Sequence, residues 1–146
     1  MRLHAMMAVA AGLLIAADAP KDQSAKSDRD RLQGTWTLIS AVRDGKPLAE
    51  DEAKRTTIVF AGDRFRFPRE AADATSQRGT FKIDPTKRPR QMDATSPEGE
   101  VSLGIYEVEG DDYRVCFAPP GKERPPAFGS KPGSGYINQV WNRARP

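Results

Sequence analysis

The sequence predicts an all-β protein, an antiparallel barrel of about eight short strands. Three observations carry that reading. Leu103-Gly104-Ile105-Tyr106-Glu107-Val108 and Tyr113-Arg114-Val115-Cys116-Phe117 are rich in β-branched and aromatic residues and flank the turn-prone Glu109-Gly110-Asp111-Asp112, a strong hairpin signal. Arg64-Phe65-Arg66-Phe67 and Arg78-Gly79-Thr80-Phe81-Lys82-Ile83 alternate apolar and polar residues, as half-buried strands do. Turn residues interrupt the chain at short intervals, with no sustained helical period between them. The hairpin presents Tyr113, Val115 and Phe117 on one face, with Tyr106 and Val108 facing alike on its first strand; such a face must pack against more sheet.

At 146 residues the chain has the length of one domain. Residues 1–19 read as a secretory signal: Arg2 and the terminal amine supply the positive start, and residues 5–17 are an apolar run. That run is shorter than the roughly 20 residues a helix needs to span a bilayer. Ala17-Asp18-Ala19 fits a small-x-small cleavage pattern, while Pro20 directly after it leaves cleavage after Ala17 as an alternative. No cysteine follows the run, which excludes a bacterial lipoprotein anchor. Residues 20–31 are polar without an apolar period and are expected to form a flexible tether, with at most a helical turn before Leu32. The barrel domain is expected over 32–146.

Within that domain, Gly34-Thr35-Trp36-Thr37-Leu38-Ile39-Ser40-Ala41-Val42 makes the first strand. Regular alternation puts Trp36, Leu38 and Val42 on one face, with Ser40 between them. Asp44-Gly45 is a turn, and 46–55 is a charged connection with room for one helical turn. Residues 56–60 and 64–67 form the next two strands around Gly62-Asp63, and Pro68 ends the second or marks an edge. Residues 70–77 read as a loop. Strands follow at 78–83 and 90–94, then the hairpin, then 137–141.

Composition removes several chemistries. His4 is the single histidine and leaves with the signal, so the mature chain has no Ser-His-Asp or Cys-His arrangement and no histidine metal site. Cys116 is the single cysteine, so no intramolecular disulfide can form; it reads as a small apolar strand residue, with a reactive thiol or an intermolecular bridge as the sharper alternative. Neither catalytic residues nor a cofactor nor a metal site is expected. Glu107, Glu109, Asp111 and Asp112 offer oxygen ligands but follow no calcium-loop pattern, and Gly133-Ser134-Gly135 beside Lys131 lacks phosphate-loop spacing.

Several ordered blocks carry a family resemblance. Gly34-x-Trp36 is similar to the signature that opens lipocalin-type barrels. Together, Leu32-Gln33-Gly34-Thr35-Trp36, Asp44-Gly45-Lys46-Pro47-Leu48, the run from Gly79 through Asp84-Pro85-Thr86-Lys87, Leu103-Gly104-Ile105-Tyr106, Ala118-Pro119-Pro120-Gly121-Lys122 and Lys131-Pro132-Gly133-Ser134-Gly135 resemble the lipocalin-like domain family expanded in planctomycete bacteria. The resemblance spans about 32–143. It implies a lipocalin-like β-barrel in an exported protein, secreted or periplasmic, and transfers no catalytic residues. It also suggests that Arg143, near the chain end, packs over Trp36.

A barrel of this size either fills with its own side chains or holds one small ligand. The expected interior, and so the candidate ligand-binding set, is Trp36, Leu38, Phe60, Phe65, Phe67, Phe81, Tyr106, Tyr113 and Phe117, with Val115 beside them. Residues 118–135 contain five prolines and four glycines and read as a lid or partner loop anchored by Phe128 and Lys131, or as a cover over the barrel wall. Basic residues gather between 63 and 90, among them Arg64, Arg66, Lys82, Arg88 and Arg90, while 91–112 holds seven acids and no base. The first functional expectation is an exported monomer that binds a small apolar or amphipathic molecule, without nucleic acid and without a transmembrane segment in the mature protein. The alternative is a non-enzymatic interaction module with a filled barrel, whose loop and charged surface meet a protein or an envelope polymer.

Overall fold

A computed structural model describes residues 21–68 and 78–145. Nine strands form one antiparallel sheet: β1 (Gly34–Arg43), β2 (Lys46–Pro47), β3 (Thr57–Ala61), β4 (Arg64–Arg66), β5 (Arg78–Asp84), β6 (Arg90–Thr95), β7 (Val101–Glu109), β8 (Asp112–Phe117) and β9 (Ile137–Arg143). Each strand from β3 to β9 pairs with its sequence neighbour, and β9 returns to pair with β1. The sheet therefore closes into an eight-stranded lipocalin-like barrel, with β2 an extra ribbon on the far half of β1. Closure leaves the barrel strands without a free edge except where β1 passes from β3 to β2. The predicted signal segment and the predicted loop at 70–77 lie outside the described residues.

The alternating pattern builds this architecture directly. Trp36, Phe60, Phe81, Met92, Tyr106, Tyr113, Val115 and Trp141 come from seven strands and are all buried inside the barrel. Their rings meet edge to face or tilted: Phe60 lies 5.2 Å from Phe81 and 5.7 Å from Tyr113, and Tyr113 lies 5.7 Å from Trp36. The hairpin turns on Gly110-Asp111 between the paired Glu109 and Asp112. The first turn, Asp44-Gly45, has φ of 50° and 78°, the paired left-handed conformation that Asp-Gly hairpins adopt.

Two expectations are corrected. Residues 20–31 were expected to be a flexible tether; the chain is instead helical from Lys21 to Leu32 (α1), with Asp28 and Leu32, four residues apart on one face, buried against the barrel. The apolar period is missing because, of the two buried side chains among the described residues of α1, one is a carboxylate. Val42 was expected to share a face with Trp36 and Leu38. A β-bulge between Leu38 and Ser40 shifts the register, so Leu38 pairs with Trp141, Ala41 with Gln139 and Arg43 with Ile137. Beyond the bulge Ala41 and Arg43 face inward, and Val42 turns outward.

The connection at 46–55 contains β2 and a five-residue helix, α2 (Glu50–Lys54), as the charged sequence allowed. Acids in its first turn and Lys54 in its last suit the helix dipole, and Ala53 is buried beside β1. Among the described residues no helix is long and apolar enough to cross a membrane.

Candidate functional site: a cavity at the open end

The barrel has unlike ends. Where β1 begins and β9 finishes, α1 lies across the opening. Trp36 Nε1 donates to the Leu32 carbonyl at 2.8 Å. Arg143 stacks its guanidinium 4.3 Å from the Trp36 ring and donates to the carbonyls of Gln33 (2.9 Å) and Arg31 (2.6 Å). Gln33 in turn holds Gly62 in the β3–β4 turn through bonds of 2.7 and 3.0 Å. Beneath the helix, Tyr106 donates to Asp28 at 2.6 Å, with Arg31 at 3.2 Å and Arg90 at 3.5 Å as cationic partners. Burial, then the bond to Asp28 and its negative charge, push the Tyr106 phenol well above its ordinary range; burial alone does so for Tyr113. The suggested placement of Arg143 over Trp36 is what the structure contains.

At the other end β1 finishes, β8 finishes and β9 begins, and there the interior opens into a cavity of about 320 Å³. Phe60, Phe65, Phe67, Phe81, Tyr113 and Phe117 line it, so six of the nine residues expected at a ligand site are brought together. Trp36, Leu38 and Tyr106 are buried but do not border the cavity; they fill the barrel between it and α1. The interior is thus filled in one half and open in the other.

Sequence reading missed the polar rim. Arg43, Ser102 and Gln139 line the cavity together with Pro119, Pro120 and Gly135. Arg43 is the only charged side chain among the described lining residues. It faces inward because of the bulge, and no motif announces a bulge. Small residues, Ala94 and Ser102, keep one wall thin. On that wall Phe117 lies across Gly104, its cross-strand partner, so closely that a Cβ at 104 would sit 2.5 Å from its ring.

The loop at 118–135 is folded over the outer wall. Arg124 donates to the Gly104 carbonyl at 2.8 Å and approaches Asp93 at 2.6 Å, a close charge contact rather than an aligned hydrogen bond. Phe128 lies 3.9 Å beneath the Arg114 guanidinium, so it is engaged by its own barrel, while Lys131 is exposed. Cys116 is buried on this outer face and donates its thiol to the Gly129 carbonyl at 3.3 Å; burial pushes the thiol pKa up. The same loop fixes the cavity mouth, since Gly135 N–H donates to Asp44 at 2.9 Å and Gly45 N–H to Ser130 at 3.1 Å.

Of the other surface residues singled out, Arg90 turns inward to Asp28, Glu107 pairs with Arg114 at 2.8 Å, and Asp111 pairs with Arg143 at 3.2 Å. Comparison of the chain with protein-family models, with curated proteins and with solved structures finds no match.

Proposed function

We propose that the protein is an exported, non-enzymatic carrier that holds one small apolar or amphipathic molecule in the open half of its barrel. The observation that supports this is the cavity itself. Its volume of about 320 Å³ lies at the lower end of the range for small-molecule sites, and its floor is built from phenylalanines, Met92 and Tyr113. Removing apolar ligand surface from water onto such a floor contributes roughly 25 cal/mol per Å². Export rests on the amino-terminal pattern of positive start, short apolar run and small-residue cleavage motif. The interaction-module reading has less support, because Phe128 is engaged by Arg114 within the chain.

The experiment is native mass spectrometry of the protein isolated from its own cells, beside an Ala94→Leu variant that fills the cavity. A stoichiometric extra mass on the wild type, lost on denaturation and absent from the variant, is expected. A bare wild-type mass, together with no uptake of added single-chain amphiphiles, would count against the carrier.

A further inference from the structure

Filling an apolar cavity needs no charge at its rim, yet the bulge in β1 replaces an inward Val42 with an inward Arg43. Arg43 has no carboxylate or hydrogen-bond partner for its guanidinium among the described residues. The nearest acid in sequence, Asp44, accepts from the Gly135 N–H through Oδ1 at 2.9 Å and forms no ion pair with Arg43. The backbone that carries Arg43 is also fixed: Asp44 N–H donates to the Tyr136 carbonyl at 2.9 Å, and the Asp44-Gly45 turn is clamped to the loop. The rest of the rim offers donors of the same kind. Gln139 lies two positions from Ile137, the cross-strand partner of Arg43, on the same inward face. Its oxygen accepts from Trp141 Nε1 at 3.4 Å, which leaves its amide NH2 to donate. Ser102 brings a hydroxyl to the same cavity.

We infer that the cavity selects amphipathic anions: a single apolar tail lies on the phenylalanine floor, and a carboxylate at its end meets Arg43 and Gln139 at the rim. This rests on the carrier reading and narrows it to a ligand class. A guanidinium fork matches a carboxylate in shape as well as charge, and such charge-assisted bonds are about twice as strong as neutral ones. The cavity of about 320 Å³ has room for a single short tail, and its open mouth leaves the far end of a longer one in solvent.

The test is a calorimetric titration at neutral pH and low salt with decanoate and with decanol, which share a tail and differ in head. Wild type is compared with Arg43→Met, which keeps the apolar stem, and with Arg43→Lys. Wild type is expected to bind decanoate about tenfold or more tightly than decanol. Added salt should narrow that gap, because Arg43 is exposed. Arg43→Met should equalise the two ligands without weakening decanol, and Arg43→Lys should restore part of the preference. Equal binding of both ligands by wild type, or a preference that survives in Arg43→Met, overturns the anion inference and leaves the carrier standing. Failure of both ligands to bind overturns the two together.

Discussion

Aromatic residues are used in both halves of the barrel, with opposite results. Around α1, Trp36 and Tyr106 are wholly buried, and the polar atoms that accompany them, Trp36 Nε1, the Tyr106 hydroxyl and the Arg143 guanidinium, are all hydrogen-bonded. Around the mouth, Phe65, Phe67 and Phe117 remain half-buried beside empty volume, and Arg43 is left without a partner among the described residues. The closed half secures the fold through specific polar closure. The open half can leave room for a guest because it does not have to supply that closure.

Substitution should expose this division, and the largest effect is expected at the signature tryptophan. Trp36→Ala should cost about 3–5 kcal/mol, much of the stability of a domain this size, read from urea unfolding. Phe67→Ala at the mouth should cost less than half of that; equal costs would break the comparison. Arg143→Met is next. It removes three bonds to carbonyls, the pairing with Asp111 and the contact over Trp36, and about 2 kcal/mol is expected in the same assay, given that Arg143 is only partly exposed.

The closed half should also show in alkali. Tyr106 and Tyr113 have folded pKa values raised above the unfolded value near 10, so their contribution is complete below that pH and is lost as pH rises through it. While the unfolded chain deprotonates and the folded chain does not, each tyrosine contributes a slope of about 1.4 kcal/mol per pH unit. Tyr113→Phe should remove one such slope. It should change little at neutral pH, since among the described residues that hydroxyl donates only to the Met92 sulfur, at 3.4 Å. Unfolding midpoints measured from pH 8 to 12 check both statements.

The smallest effect belongs to the cavity. Ala94→Leu adds atoms to empty space and should stay within about 1 kcal/mol of wild type, whereas Val108→Phe in the filled half should cost about 1–3 kcal/mol through overpacking. Thermal unfolding of the two variants checks this difference.

How far the sequence was legible follows the same division. Strand alternation is a local pattern, so the barrel and six cavity residues could be read from it. The resemblance carried by Gly34-x-Trp36 suggested Arg143 over the tryptophan, but not that this end is closed. The plug itself was hidden, because the buried face of α1 is Asp28 beside Leu32, and a carboxylate reads as solvent-facing until Tyr106, Arg31 and Arg90 are brought to it. Arg43 was hidden for a different reason. Beside an Asp-Gly turn a charge looks like turn flanking, and only the bulge at Leu38–Ser40 reverses which side chains enter the barrel. The cover formed by 118–135 depends on contacts between Arg124 and β6 and β7, far apart in sequence, which no local pattern encodes.

Pairing of β1 with β9 also sets an order in time. Trp36 and its lid Arg143 stand about a hundred residues apart, and β1 has no partner along that edge until the end of the chain arrives. At synthesis rates of about 5–20 residues per second, that edge waits on the order of 5–20 seconds. Through that interval β1, which meets β2 and β3 on its other side, keeps one edge open and its tryptophan unlidded. Closure is therefore a late, non-local step that waits for β9.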